Sequence, residues 1–388
     1  MSHTTTTATL AVDGGTPVSA DPVPMVRVDI TDADTDAALR VLHSGMLAQG
    51  ARVAAFEERF AAMTGARHAA ACANGTCALQ LAYRPLFAPG DDVLCPAWTY
   101  IATASMISAR GARPIFCDAD PDTYTIDVAD AEARLTPRTS AIAVTHLYGA
   151  PANIDAVETL VRRHGLKIIY DAAQAHLATW RGKGIGAFGD AVTYSFYPTK
   201  NMTTGEGGMV TTNSPDLDSA CRRLRSHGET EKYVHESIGF NFRMSDIEAA
   251  IGFSQLDRLE AATARRRENA RALDSMIDTI PGLTPPRAPI GGEHVYHLYV
   301  VRLEPGAHRV DRDRFVEALR AEGVQSAVHY PRSTHRQPAF SSLPSVELPV
   351  ADRLARSLFC VPVHPGLTEQ QIKAVGEALA KVAGAYAA

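Results

Sequence analysis

The amino-acid sequence predicts an α/β protein. A large domain with a mostly parallel sheet flanked by helices precedes a small C-terminal α+β domain. Two observations support this: strand-like and helix-like segments alternate between residues 68 and 212, and the pattern changes after Pro281. Regular strand–helix alternation is typical of right-handed crossovers and a parallel sheet. A chain of 388 residues is long enough for at least two domains.

The N-terminal segment is predicted to be an arm without regular structure, covering residues 1–25. Glycines and prolines that interrupt helices and strands recur there, at Gly14, Gly15, Pro17, Pro22 and Pro24. From Thr31 the spacing of apolar residues predicts two amphipathic helices that end near Gly45 and Gly65.

The large domain is predicted to cover residues 26–265 and to contain the alternating segments. Apolar or β-branched runs indicate strands at 68–73, 92–95, 113–117, 140–145, 167–170, 190–196 and 208–212. Apolar spacing indicates helices at 76–85, 101–110, 128–135 and 153–164.

The small domain is predicted to cover residues 266–388. A long helix at 245–280 leads into it, and the basic run Arg265–Arg267 is interpreted as a solvated face of that helix. A strand at 296–301 and helices at 311–322 and 368–385 complete the prediction.

Composition excludes several classes of protein. The net charge of −5 argues against nucleic acid or an anionic membrane as a partner. The chain has no uninterrupted apolar run of ~18 residues and lacks a signal-peptide pattern at its start. The six cysteines are scattered and mostly in apolar surroundings, which predicts reduced thiols and a cytoplasmic location. His146, His176 and His364 are dispersed, so no metal site is expected.

Asn74-Gly75-Thr76-Cys77 lies between a predicted strand and a predicted helix. The N-terminus of a helix presents unpaired N–H groups and a partial positive charge, which suit a phosphate. Gly75, Thr76 and the N–H of Cys77 are therefore candidate ligands. The alternative is an ordinary Asn-Gly turn in which Thr76 caps the helix, and this segment alone favours it.

Asp171 ends the buried strand Ile168-Ile169-Tyr170. Ligands in open α/β sheets bind beyond the carboxyl ends of the strands. An acid at this position either caps the next helix or meets a cation of a ligand, and the segment itself does not decide between them.

Lys200 follows a predicted strand in a loop rich in hydroxyls and glycines, Tyr197 to Gly208. A desolvated lysine near other cations has a depressed pKa and can form a Schiff base. Ser195 is a further candidate phosphate donor. A P-loop is excluded because the pattern GxxxxGK[ST] is absent.

A phosphate site, a strand-end acid and a Schiff-base lysine together describe a site for pyridoxal 5′-phosphate (PLP). The protein must anchor the phosphate, keep the pyridine nitrogen protonated and present the lysine. Trp98 and Tyr100 are both candidates for an aromatic face against the ring. A fourth segment, Gly239–Asp246, contains Ser245, which with Glu248 has the spacing of a helix capping box.

The sequence resembles the DegT/DnrJ/StrS family of PLP-dependent aminotransferases over about residues 28–385. Each matching motif is short, but their order and spacing together are specific. They are Gly45–Gly50 before Phe56-Glu57, Asn74-Gly75-Thr76, Pro96-Ala97 with Thr99–Thr103, His146–Gly149, Asp171–Gln174, Phe196–Asn201, Gly205–Gly208, Asn241–Met244 and His329-Tyr330-Pro331.

The resemblance implies a fold type I PLP-dependent transferase. It implies that Lys200 bonds the cofactor, that Asp171 contacts the pyridine nitrogen, and that Gln174 lies beside the ring hydroxyl. Tyr100, rather than Trp98, would stack on the ring. Thr76, Cys77 and Ser195 would hold the phosphate, and Asn241 would reach the phosphate of a neighbouring subunit, so the expected assembly is a homodimer with shared active sites.

The resemblance also implies a function, namely transfer of an amino group from glutamate or glutamine to a nucleotide-linked keto-sugar in amino-sugar biosynthesis. Relatives that act as dehydratases carry histidine where this chain has Lys200. His329 and Tyr330 would contact the substrate, or alternatively only pack the small domain. Other possibilities are a keto-cyclitol such as scyllo-inosose as acceptor, a non-catalytic PLP-binding sugar sensor, and an eliminating or epimerising PLP enzyme.

Overall fold

The computed structural model describes residues 9–388. In chain order, the helices are α1 (Asp32–Ser44), α2 (Ala51–Thr64), α3 (Gly75–Leu86), α4 (Ile101–Ala109), α5 (Val128–Ala133), α6 (Ile154–His164), α7 (Pro215–Arg225), α8 (Asp246–Ile277), α9 (Arg312–Ala321), α10 (Pro349–Ser357) and α11 (Glu369–Tyr386). The strands are β1 (His68–Cys72), β2 (Asp92–Pro96), β3 (Arg113–Cys117), β4 (Thr139–Thr145), β5 (Lys167–Asp171), β6 (Thr179–Trp180), β7 (Lys183–Gly184), β8 (Ala191–Ser195), β9 (Gly208–Thr212), β10 (Glu229–Glu231), β11 (Val234–His235), β12 (Leu283–Thr284), β13 (Gly292–Glu293), β14 (Tyr299–Leu303) and β15 (Leu358–Val361).

Seven strands form the central sheet, in the spatial order β1-β9-β8-β5-β4-β2-β3. The pairs β2–β3, β2–β4, β4–β5 and β5–β8 are parallel. Strand β9 is antiparallel to both neighbours, β1 and β8. The prediction of a mostly parallel sheet is confirmed, and all seven predicted strands of this region are present.

Both faces of the central sheet are buried, and each has its own apolar core. Alternation along β1 shows the division, because Ala70 and Cys72 belong to one core and Ala69 and Ala71 to the other. Helices α3 and α4 contribute to the first core, whereas α2, α6 and the first half of α8 contribute to the second. Covering both faces is what a parallel sheet built from crossovers requires.

The small domain contains an antiparallel sheet in the order β12-β14-β15. Its core includes residues of β14, β15, α9 and α11. The strand predicted at 296–301 starts three residues later, at Tyr299. Tyr296 has a positive φ of 47°, which is incompatible with extended backbone, so the chain turns before the strand begins.

Helix α8 runs without interruption across the predicted boundary between residues 265 and 266. Its Leu256 and Leu259 lie in the core of the large domain, and its Ala270 and Leu273 lie in the core of the small domain. The predicted capping box of Ser245 and Glu248 at its start is present. Residues of α8 before the predicted boundary thus belong to one core, and residues after it belong to the other.

The interpretation of Arg265–Arg267 as a solvated face is wrong for its middle residue. Arg266 is 7% exposed. It lies on the same helical stripe as the buried residues Leu259, Thr263, Ala270 and Leu273. Since successive helical residues are rotated by about 100°, three consecutive arginines cannot share one face.

The described part of the N-terminal arm packs on the small domain. Ala11–Asp13 form a short 3₁₀ turn, a regular element that the prediction did not include. Leu10 and Val23 are buried in the core of the small domain, and Val23 pairs with Val324 in a parallel bridge. Residues 1–8 of the predicted arm lie outside the described residues.

The six cysteines are free, and all except the half-buried Cys77 are buried, in agreement with the sequence prediction. Between residues 9 and 388, no cluster of three or more His, Cys, Asp or Glu side chains could hold a metal ion. None of the helices described from residue 9 onward combines the length and apolar character that a membrane crossing needs.

Candidate active site

The carboxyl ends of β1, β5 and β8 lie at one edge of the central sheet, because these strands run in the same direction. Each end carries predicted site residues. Asn74-Gly75-Thr76 follows β1, Asp171 is the last residue of β5, and Ser195 is the last residue of β8. The fold thus brings together segments that are far apart in the sequence, at the edge where open α/β sheets bind ligands.

The N-terminus of α3 forms the first part of the site. Asn74, not Thr76, is its cap, since Asn74 Oδ1 accepts the N–H of Cys77 at 2.9 Å. A Cβ atom at Gly75 would lie 2.8 Å from Ser195 Cβ, so glycine allows this close approach. The arrangement suits a phosphate, with the hydroxyls of Thr76 and Ser195 beside a helix N-terminus. Because the Cys77 N–H is already donated, its contact with a phosphate stays a prediction.

Asp171 is buried at the end of β5, with 6% of its surface exposed. One carboxylate oxygen accepts from the Thr103 hydroxyl at 2.7 Å, and the other accepts from the N–H of Ala173 at 3.1 Å. Burial raises the pKa of Asp171, whereas these hydrogen bonds and the charge of Lys200 oppose the rise. No helix follows Asp171 directly, so it is not a helix cap. A buried acid with neutral donors suits a cationic group of a ligand.

Lys200 lies in the loop between β8 and β9. The loop is held by its own polar groups: the N–H of Lys200 donates to Tyr197 O at 2.9 Å, and the Thr203 hydroxyl donates to Phe196 O at 2.8 Å. Burial lowers the pKa of Lys200 to about 8, and the charge of Asp171 opposes this shift. An amine with this pKa is partly neutral, and therefore nucleophilic, near pH 7.

An aromatic wall borders the site. Tyr100 is 56% exposed, whereas Trp98 is 1% exposed, so of the two candidates only Tyr100 has a ring available to a ligand. The ring of Tyr330 lies 6.1 Å from that of Tyr100 and 5.9 Å from that of Trp98. Gln174 donates to the Tyr330 hydroxyl at 2.9 Å and accepts from the N–H of Tyr148 at 2.7 Å, which fixes its orientation.

His329 and Tyr330 lie beside this wall. Tyr330 contacts aromatic residues of the large domain, and the charge of Lys200 contributes to lowering the pKa of His329. The contact of His329 and Tyr330 with the substrate stays a prediction. Asn241 is exposed and pairs through its backbone with Ser226. Its predicted contact with the phosphate in a neighbouring subunit stays a prediction.

These residues fit PLP. The glycine at the start of α3 leaves room next to Ser195, Asp171 is buried without a cationic hydrogen-bond partner, and Lys200 has a depressed pKa. The three features match the phosphate, the pyridine nitrogen and the carbonyl carbon of the cofactor, respectively. When bound, PLP supplies an electron sink for chemistry at the carbon that bears the amino group.

Sequence reasoning missed two residues of the site. Thr103 is buried and donates to Asp171, and the available signal was a hydroxyl among the apolar residues of α4, which also carries Ser105 and Ser108. Arg266 lies near Lys200, and its place on the buried stripe of α8 was the signal.

Comparison with known proteins identifies the family. Residues 28–380 match the profile of the DegT/DnrJ/EryC1/StrS aminotransferase family. The chain belongs to this family. It is 39% identical over 337 residues to a UDP-N-acetyl-3-dehydro-alpha-D-glucosamine 3-aminotransferase of Acidithiobacillus ferrooxidans, covering 86% of this chain and 89% of that protein. It is 40% identical over 352 residues to the dTDP-3-amino-3,4,6-trideoxy-alpha-D-glucose transaminase of Streptomyces venezuelae, covering 89% and 91%.

Solved structures agree with this assignment. The aminotransferase superposes on S. venezuelae DesV, solved with a ketimine intermediate, with a TM-score of 0.90, 37% identity and coverage of 94% of this chain and 99% of DesV. It superposes on Streptococcus pneumoniae Spr1654, solved in PLP and PMP forms, with a TM-score of 0.89, 26% identity and coverage of 94% of this chain and 98–99% of Spr1654. The chain is therefore a PLP-dependent aminotransferase of fold type I.

Proposed function

We propose that this aminotransferase transfers the amino group of glutamate or glutamine to the keto group of a nucleotide-linked sugar in amino-sugar biosynthesis. The observation that carries the proposal is the buried Asp171 and the Lys200 amine of depressed pKa at one sheet edge. Both relatives named above transfer an amino group at carbon 3 of a nucleotide-linked sugar. A 3-keto nucleotide sugar is therefore the acceptor that we expect.

Each side chain of the site has a separate role in the proposed reaction. Lys200, in its neutral form, removes the proton from the Cα of the donor and later delivers a proton to the acceptor carbon. Asp171 would hold a proton on the pyridine nitrogen of bound PLP, and Thr103 fixes the orientation of the Asp171 carboxylate. Tyr100 would cover one face of the ring, and Gln174 would lie beside the ring hydroxyl. Thr76 and Ser195 would hold the phosphate.

The proposal includes a cytoplasmic homodimer with shared active sites. Large apolar side chains are exposed on and after α1, at Leu39, Leu42 and Met46, and at the β10–β11 hairpin, at Tyr233 and Ile238. Clusters of exposed apolar side chains mark protein interfaces. The hairpin immediately precedes Asn241, the residue expected to reach the neighbouring site.

The test is a substrate panel with mass-spectrometric detection. The PLP-loaded enzyme is incubated with 3-keto nucleotide sugars, 4-keto nucleotide sugars or scyllo-inosose, each with glutamate or glutamine. Exchange of the keto oxygen for an amino group on a nucleotide sugar, with release of a keto acid, is the expected result. Lys200→Ala should reduce turnover by at least about 10²-fold because it removes the proton-transfer group. The matched control is Lys373→Ala, which changes an exposed lysine of α11.

Other results would identify the alternatives. Amination of scyllo-inosose alone would show that the acceptor is a cyclitol and not a nucleotide-linked sugar. Absence of keto-acid release with every donor would favour an eliminating or epimerising enzyme or a sugar sensor. Turnover that survives in Lys200→Ala would contradict the proposed role of Lys200.

A further inference from the structure

A small cleft of about 50 Å³ lies beside Lys200, between the segment before α1 and the middle of α8. Its lining includes Arg27 at the exposed mouth, Lys200 and Asn201 from the β8–β9 loop, and Gln255 and Arg266 from α8. Arg27, Lys200, Arg258 and Arg266 give this cleft four basic groups. The cleft therefore adjoins Lys200, the residue that moves the proton in the proposed reaction.

Arg266 differs from its two neighbours in sequence. Arg265 pairs with Glu268, and Arg267 pairs with Glu293. The buried Arg266 instead donates to a backbone carbonyl, Tyr296 O, at 3.2 Å, and within residues 9–388 its Nε has no hydrogen-bond partner. A buried charge without a counter-ion destabilises a protein unless a ligand pairs with it.

The remaining charges of the cleft do not neutralise Arg266. Asp29 lines the cleft, but it pairs with Arg258 at 3.6 Å, and Arg258 is also bonded to Asp34. Burial lowers the pKa of Arg266 to about 10, so that it remains charged at neutral pH. The pKa of His297 is held well below its usual range by burial, with the charges of Lys200 and Arg266 adding to the shift. The region thus has surplus positive charge.

We propose that this cleft binds the α-carboxylate of the amino donor, with Arg266 as its cationic partner. The inference rests on the proposed aminotransferase function. A carboxylate is bonded directly to the Cα from which Lys200 removes a proton, so its partner must lie close to Lys200. The diphosphate of a nucleotide sugar is several bonds away from the keto carbon, so it does not have to lie this close to Lys200. Glutamate and glutamine carry the same α-carboxylate, so the proposal applies to either donor.

The experiment measures the two half-reactions separately in Arg266→Gln. In the first, PLP-loaded enzyme is mixed with donor and the loss of visible absorbance is followed. In the second, enzyme in the pyridoxamine form is mixed with keto-sugar. The apparent Kd for the donor is expected to rise about 10- to 100-fold, the effect of losing a charge-assisted hydrogen bond. The keto-sugar half-reaction should change little. Arg266→Lys should recover part of the donor affinity, and Arg265→Gln is the matched control.

Two further measurements distinguish this role from a structural one. Binding of glutarate, an unreactive dicarboxylate, to the holoenzyme should weaken in Arg266→Gln but not in Arg265→Gln. Arg266→Gln should also unfold at an equal or higher temperature, because it removes an unpaired buried charge. Unchanged donor affinity, equal loss in both half-reactions, a weakened keto-sugar step alone, or a variant that does not fold would each overturn the proposal. Failure of the wild-type enzyme to react with any donor would instead refute the proposed function.

Discussion

The amine of Lys200 lies in surroundings that favour its neutral form. Burial lowers its pKa to about 8, whereas an unperturbed lysine has a pKa of ~10.4. Only the neutral amine can bond a carbonyl carbon, and its fraction increases about tenfold per pH unit below the pKa. The folded site therefore supplies a nucleophile at a pH where an exposed lysine is almost fully protonated.

This difference predicts the pH dependence of cofactor binding. The rate at which the apoprotein bonds PLP should rise with pH and level off above about pH 8, where Lys200 has lost its proton. Stopped-flow absorbance measures this rate, and a simple lysine derivative in solution provides the correction for titration of PLP itself. A rate that continues to rise beyond pH 10 would show that Lys200 titrates as an ordinary lysine.

Single site residues were predictable where a recognisable local sequence pattern surrounds them. Lys200 and Asp171 follow apolar strands, and the Asn-Gly pair marks the start of α3. The partner of Asp171 was not predictable, because the contact with Thr103 joins residues on different crossovers and depends on packing. Arg266 was misread for a different reason. Three adjacent arginines suggested one solvated face, although the stripe from Leu259 to Leu273 already placed the middle one inside.

At the scale of elements, side chains from two helices hold the outer edge of β1, the strand that leads into the phosphate site. Glu57 of α2 accepts the N–H of Ala71 at 2.8 Å, and Arg225 of α7 donates to Ala71 O at 2.6 Å. Glu57 and Arg225 also pair with each other at 2.6 Å, and they are 6% and 3% exposed. The backbone N–H and C=O groups of Ala71 at this edge of the sheet are thus hydrogen-bonded without another strand.

This network predicts a large loss of stability in Glu57→Ala. Removal of one partner leaves Arg225 buried without its counter-ion, which typically costs about 3–5 kcal/mol. Urea unfolding of wild type and variant measures the difference in free energy of unfolding. Glu132→Ala is the matched control, because Glu132 forms its ion pairs with Arg163 and His164 at the surface. A loss for Glu57→Ala no larger than that of the control would mean that the network contributes little.

The order and type of the main elements and the mostly parallel sheet could be predicted from the sequence, but the antiparallel direction of β9 could not. The connections from β2 to β3 and from β4 to β5 contain helices, α4 and α6, that are recognisable from their apolar residues. Strand β9 instead follows β8 through the Lys200 loop, without an intervening helix, and it is antiparallel. Helix α7 was not predicted, and two of its three arginines, Arg222 and Arg225, donate to carbonyl groups of β1.

At the scale of the whole molecule, α8 couples the two cores. Its first half packs in the core of the large domain and its second half in that of the small domain, with Arg266 between them. The described part of the arm adds Leu10 and Val23 to the second core. The sequence predicted two domains and a helix at 245–280 that crosses the boundary between them, but it did not predict that the N-terminal arm would add to the second core.

The proposed sharing of sites between subunits makes a prediction that only a dimer can satisfy. Lys200→Ala removes the reactive amine, and Asn241→Leu removes the amide expected to reach the neighbouring phosphate. Each variant alone should be impaired. In a hybrid of the two chains, one site combines both defects, whereas the other combines an intact Lys200 with an intact Asn241. The hybrid, isolated with two different affinity tags, should therefore have about half of the wild-type activity per dimer.

The same experiment can also contradict the prediction of shared sites. If each chain formed a complete site by itself, the Lys200→Ala chain would be inactive and the Asn241→Leu chain would keep its own defect, so the hybrid would equal the mean of its parents. Recovery above that mean requires that Asn241 of one chain acts on the Lys200 site of the other. Because Asn241 is exposed and follows a hairpin with exposed Tyr233 and Ile238, its side chain is available for such a contact. Measuring activity at limiting PLP makes the comparison most sensitive, since the expected defect of Asn241→Leu is in phosphate binding.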